Sequence, residues 1–254
     1  MTRFASHSRA ANAARALAFG LGLAATIALA PREAHAIPID VVLVVDDTAG
    51  MGDEIAALRS SLANFDAVLA SEGHDVAYGL VTFNETPTVR QDLVDLATFA
   101  APGSPFLTFT LSSATVENGS LAVSAATTLS FRPGSLRRVI LLSDEPDQGS
   151  LAERLAAQQD LLAVGAQLWA IVADIQTRTS YLDLVLSSGA IDEIGAPRIW
   201  IASDGTAVSQ LLFGHVPFVL AADAAAVPEP GTVGPLGAAL ALVGLAMRRR
   251  ARGR

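Results

Sequence analysis

The stretch Ile39-Asp40-Val41-Val42-Leu43-Val44-Val45-Asp46-Asp47-Thr48-Ala49-Gly50-Met51-Gly52-Asp53-Glu54-Ile55 decides how the rest of the sequence is read. Its first seven residues are apolar and mostly β-branched apart from Asp40, without the alternation of a half-exposed strand. That pattern suits a central parallel strand covered on both faces. Acids, a hydroxyl and glycines follow, and then Asp53 to Ala70 sets Ile55, Leu58, Leu62, Phe65 and Leu69 on one helical stripe. Further strand patterns occur at Val76 to Phe83, Arg138 to Leu142, Gln167 to Ala173 and Arg198 to Ala202. Helical patterns fall between and after them, at Leu151 to Val164, Tyr181 to Ser187 and Gly205 to Phe213. Strands alternating with helices imply right-handed βαβ crossovers and an α/β fold, a doubly wound, mostly parallel sheet with helices on both faces. Thr88 to Val94 is predicted to add one antiparallel edge strand through the turn Asn84-Glu85-Thr86-Pro87.

Composition narrows the function classes. The 254 residues are 51% hydrophobic and 17% charged, apolar enough to bury a core and offset chain entropy. All 17 basic residues are arginine, and there is no cysteine, which excludes disulfides, thiolate zinc sites and a thiol nucleophile. Charge is partitioned along the chain: residues 1 to 36 carry +3 and residues 230 to 254 carry +5. The body between them holds 24 acids against 8 arginines, a net −16 that would repel phosphate backbones and excludes nucleic acid as a partner.

Both ends read as addresses. Residues 1–36 contain an arginine-bearing start, an apolar stretch from Ala16 to Ala30 and the box Ala34-His35-Ala36, the three-part pattern of a signal peptide cleaved before Ile37. An Ala-rich linker is expected at 221–227, after a body domain at 37–220. The last segment, 228–254, runs Pro228-Glu229-Pro230-Gly231-Thr232, then Val233 to Met247 without a charge, then Arg248-Arg249-Arg250. Fifteen helical residues span only about 22 Å, short of the roughly 30 Å hydrocarbon core, so this is a marginal transmembrane anchor held by cytoplasmic arginines. The order of its parts resembles the PEP-CTERM sorting signal. That resemblance implies transient residence in the inner membrane of a Gram-negative bacterium and cleavage by an exosortase-type protease. Export to the cell surface or an exopolysaccharide-rich extracellular matrix would follow.

In an open parallel sheet, ligands gather beyond the carboxyl ends of the strands. Two acidic clusters sit there: Asp46-Asp47-Thr48-Ala49-Gly50-Met51-Gly52-Asp53-Glu54 after the first strand and Ser143-Asp144-Glu145-Pro146-Asp147 after the Arg138 strand. Hard oxygen donors of this kind suit Mg, Mn or Ca. A phosphotransfer enzyme or receiver is a poor fit, because a receiver needs a lysine on a later strand and this chain has none.

The order of these pieces resembles a von Willebrand factor type A (vWA) domain over Ile39 to Phe213. The opening strand and loop, Tyr78-Gly79-Leu80-Val81-Thr82-Phe83, Phe131-Arg132-Pro133-Gly134 and the Arg138 to Pro146 run carry the resemblance. It implies a metal-ion-dependent adhesion site, with Asp46 as the first carboxylate, Thr48 as the first hydroxyl, Thr115 as the loop-two threonine and Asp144 as the loop-three carboxylate. Ser113 is the alternative to Thr115. Gly50 stands where the family has its second hydroxyl, so a water would complete the coordination there. Asp47, Asp53, Glu54 and Asp147 read as solvated or helix-starting acids, His74 and His215 as surface or packing residues, and Trp169 and Trp200 as core.

The expected function is a non-enzymatic binding or adhesion module that engages a protein or polysaccharide ligand through a divalent cation at the Asp46 crevice. The alternative is a structural exopolysaccharide-matrix protein whose metal site has decayed. Signal peptidase and an exosortase-type protease are the expected processing partners.

Overall fold

The computed structural model describes residues 37–114 and 116–226. The segments expected to be a signal peptide and a sorting signal, the latter with Pro228, Glu229, Pro230, Arg248, Arg249 and Arg250, lie outside the described residues, as does Thr115. Among the described residues, six strands form one sheet: β1 (Ile39–Asp46), β2 (Val76–Phe83), β3 (Thr88–Val94), β4 (Leu136–Ser143), β5 (Gln167–Val172) and β6 (Ile199–Ile201). Their order is β3-β2-β1-β4-β5-β6, parallel throughout except for β3, which pairs antiparallel with β2. The expected doubly wound sheet with one antiparallel edge strand is therefore present.

The burial pattern explains the strand sequences. β1 and β2 are buried at every position, so both faces must be apolar and no alternation survives. β3 is a solvent-facing edge carrying Arg90, Gln91 and Asp92, and its pairing with β2 is interrupted by register shifts around Leu80.

The longer helices are α1 (Gly52–Ser71), α2 (Gly119–Ala126), α3 (Leu151–Val164), α4 (Ile175–Ser187), α5 (Gly205–Gly214) and α6 (Val216–Ala226). α1, α5 and α6 pack together on one face of the sheet, while α2, α3 and α4 cover the other. Side-chain caps start most of them: Asn118, Ser150, Asp174 and Asp204 each accept a hydrogen bond from the first turn, and Ser150 and Glu153 form a reciprocal capping box.

Three sequence expectations are corrected here. The helix expected at Tyr181 starts at Ile175, because Asp174 caps a first turn whose residues are too polar to show an apolar stripe. The stretch expected to be a linker from Ala221 is the end of α6, with Leu220, Ala221 and Ala224 buried against the core. Asp223 on that helix pairs with Arg138 at 3.2 Å and Arg198 at 2.7 Å, and both guanidiniums lie over the Trp169 ring. The run Gly205–Ala226 is apolar enough to pass for a membrane span by composition, yet its Val208, Leu212, Val216 and Leu220 are core residues. Third, Asp47 and Asp147 are buried rather than solvated. Asp47 accepts from Asn84 at 2.7 Å and pairs with Arg90, and Asp147 accepts from the Ser120 hydroxyl and pairs with Arg154.

At the opposite edge of the sheet, fully buried Asp40 is held by Arg132 and the Ser135 hydroxyl, and Arg132 also bonds the carbonyls of Ile39 and Asp75. This clasp ties the start of β1 to the loops before β2 and β4.

Candidate metal centre

Strand order reverses at β1: the chain runs outward to β2 and β3, then returns to place β4 on the other side. The crevice beyond the carboxyl ends of β1 and β4 is thus the topological switch point of the sheet. Asp46 ends β1, Asp144 follows the last residue of β4, and Glu117 reaches the same place from the loop before α2. One carboxylate oxygen from each of the three lies within 4.8 Å of the others.

The surrounding backbone fixes each group. The Thr48 N–H donates to Asp46 Oδ1 at 2.9 Å, and the Ser143 hydroxyl lies 3.1 Å from Asp46 Oδ2. Thr48 is buried beside it and bridges to Ser112, which draws the 111–114 loop against the Asp46 turn. Gly50 is needed for close approach rather than for an unusual backbone: its φ is not positive, but a Cβ there would overlap Asp144 Oδ2. The carboxylate of Asp144 therefore leans over the place where the vWA resemblance leads one to expect a second hydroxyl.

Concentrating acids in a buried crevice raises the cost of ionising them. Burial, then the adjoining Asp46 and the charges of Glu145 and Asp144, push the Glu117 carboxyl up to about 9. Burial and then the Asp46 charge, with Glu54 and Glu145 adding to it, push Asp144 up to about 6. Glu117 Oε2, Asp144 Oδ1 and Glu54 Oε2 are buried without a hydrogen-bond partner among the described residues. The hydroxyl of fully buried Tyr181 is pressed so close to Gly119 that any side chain there would overlap it. Orphaned, acceptor-rich oxygens are what a divalent cation would satisfy, and the donor set is that of a hard metal.

Of the residues expected at the site, the structure brings Asp46 and Asp144 together and places Thr48 beside them. Ser113 is exposed on the rim. Glu117 was missed. Its only signal was position: it stands two residues after the threonine sought in that loop, and a three-carboxylate site departs from the adhesion-site pattern used to find it.

Solved structures share this arrangement of strands and helices. A von Willebrand factor type A protein from Catenulispora acidiphila superposes with a TM-score of 0.55 at 14% identity, over 74% of this chain and 43% of that one. The fold is of the von Willebrand factor type A kind. The mussel byssus proximal thread matrix protein 1, in a structure with a zinc-occupied MIDAS motif, gives 0.53 at 16% identity, over 72% of this chain and 46% of that one. The PilB minor pilin of Streptococcus sanguinis gives 0.53 at 14% identity, over 78% of this chain and 65% of that one. The chain thus spans less than two thirds of the length of these neighbours. No protein-family model matches the sequence. No curated protein matches it either.

Proposed function

We propose that this vWA-fold chain is an exported cell-surface or matrix binding module, which holds a divalent cation at Asp46, Glu117 and Asp144 and engages a protein or polysaccharide partner through it. The observation that carries this reading is the convergence of three carboxylates at the switch point, with buried oxygens that no donor among the described residues satisfies. The zinc-occupied MIDAS motif of the mussel protein, a neighbour in fold, supports the reading of a bound cation. Mg, Mn or Ca fits an all-oxygen donor set better than zinc.

The route outward is part of the same proposal. Signal peptidase removes residues 1–36, and an exosortase-type protease removes the segment that begins near Pro228, leaving the binding module outside the inner membrane. Both rest on the sequence patterns. No nucleophile with an adjacent base is apparent among the described residues, so the reading is non-enzymatic.

A second reading has a specific observation behind it. Gly50 replaces a hydroxyl ligand and Asp144 Oδ2 fills its space, as in a matrix scaffold whose metal site has decayed. Calorimetric titration with Mg, Mn and Ca separates the two. A binding module gives saturable heat that Asp46→Asn and Asp144→Asn abolish, and a decayed scaffold gives none.

A further inference from the structure

α3 is apolar on both of its faces. A helix packed on a sheet ordinarily sends its apolar stripe inward and its charges to water. Here Ala157 and Leu161 are buried against the core. Yet Leu151, Leu155 and Leu162 stand 72%, 48% and 62% exposed, with Ala152, Ala156 and Ala163 exposed beside them. At 3.6 residues per turn these six and the exposed Gln159 fall within one arc of about 140°. The arc carries no charged residue. The charges of the helix lie on its flanks: Glu153 turns back to accept from the Ser150 N–H, Arg154 bonds the Gly149 carbonyl and pairs with Asp147, and Asp160 is half-buried. Single exposed leucines need no explanation, but a continuous apolar face marks an interface.

We propose that two copies of the chain meet on this face, α3 against α3 in antiparallel contact centred at the level of Ala157. Ala152, Leu155, Gln159 and Leu162 follow one another at spacings of three, four and three residues, the seam of a two-helix coiled coil. The seam is self-complementary when the second helix runs the opposite way: Leu162 meets Ala152, Leu155 meets Gln159, and Leu151 meets Ala163. Large side chains face small ones at both ends, and a two-fold axis makes the two halves of the contact identical.

Charge and area single out a second copy as the occupant. The body from 37 to 229 carries −16, so two copies repel over most of their surfaces, and on this arc they meet without opposing like charges. A lipid surface calls for aromatic or basic residues along the face, and the arc has neither. The arc offers roughly 500 Å² per copy, about 1,000 Å² in a symmetric pair, at the lower limit for specific association, so the dimer forms and separates with concentration. α3 leaves the carboxyl end of β4 and runs back to the start of β5. An antiparallel pair therefore turns the carboxyl edges of the two sheets in opposite directions, and one dimer presents its two crevices to different partners.

Sedimentation velocity of the full-length chain in detergent, with EDTA present so that the result stands whatever the crevice binds, tests the pairing. The wild type should exchange between monomer and dimer. Leu155→Glu combined with Leu162→Glu should weaken the dimer at least tenfold and leave Tm unchanged, since both side chains are exposed in the single copy. A wild type that stays monomeric at about 100 μM, where an interface of micromolar Kd is filled, overturns the proposal. So does a dimer that survives the two glutamates, which would place association on another surface or in the detergent-bound tail. The chain has no cysteine, so single introduced thiols report the register. A mixture of Leu155→Cys and Gln159→Cys chains, one of them tagged, should on mild oxidation give the mixed disulfide in preference to either like pair. A preference for like pairs, or no crosslink, overturns the antiparallel contact.

Discussion

Glu117→Gln should change the sign-determined pH dependence of stability in a way no surface glutamate would. In the cation-free chain the Glu117 carboxyl is pushed up to about 9, chiefly by burial and by Asp46. The unfolded chain releases that proton near the ordinary glutamate value, so through this interval the folded state binds more protons than the unfolded one. Stability therefore falls as pH rises. One proton sets the limit at about 1.4 kcal/mol per pH unit. Asp144 contributes with the same sign only up to about 6, so the window from roughly pH 6.5 to 8.5 isolates Glu117, with a fall approaching about 3 kcal/mol. Glutamine preserves the neutral shape and cannot ionise, so its curve should be flat across that window. Urea unfolding in EDTA at several pH values gives both curves. Parallel curves for the wild type and Glu117→Gln would refute the claim that Glu117 is a buried acid held protonated by its neighbours. Saturating cation should remove the slope in the wild type, because the ion then supplies the opposing charge.

Other substitutions probe neighbouring parts of the argument. Asp144→Asn relieves repulsion with Asp46, so the cation-free chain should melt no lower than wild type while losing the upward shift in Tm that Mg or Mn produces by mass action; identical melts for both proteins with and without metal would contradict this. Gly50→Ser, which by the adhesion-site pattern alone should restore a hydroxyl ligand and strengthen binding, should instead weaken cation affinity about tenfold or more, near 1.4 kcal/mol, because its Cβ displaces the Asp144 carboxylate; tighter binding by calorimetry would show that Asp144 moves freely. Arg132→Ala leaves Asp40 buried and unpaired, and chemical denaturation should show a loss of roughly 3–5 kcal/mol. A loss within experimental error would mean that the clasp at the amino edge of the sheet is ornamental.

The sheet was legible because its strands obey burial: Val41 to Val45 and Val139 to Leu142 could only be strands covered on both faces, and the polar Thr88 to Val94 only an edge. α6 escaped notice because its alanines carry almost no amphipathic signal, and its anchoring charge, Asp223, finds its partners 85 and 25 residues away on Arg138 and Arg198. Asp46 and Asp144 were legible as strand-end acids, since adjacency of β1 and β4 follows from the winding. Glu117 was not, because a glutamate in a loop looks solvated until tertiary packing buries it. The same blindness applied to Asp47 and Asp147, whose arginine partners Arg90 and Arg154 come from a separate strand and helix. Gly50 was read as a missing hydroxyl, and only the folded chain shows that a Cβ there would overlap the Asp144 carboxylate.

The proposed function requires that Asp46, Glu117 and Asp144 hold one divalent cation. Anomalous diffraction from crystals grown with Mn above the neutral range tests it most directly, because ionised Glu117 is then available and the metal itself is seen. The expected result is a single anomalous peak at the carboxyl ends of β1 and β4, bonded to an oxygen of each of the three residues. A fully occupied Mn elsewhere on the chain with nothing between these carboxylates would contradict it.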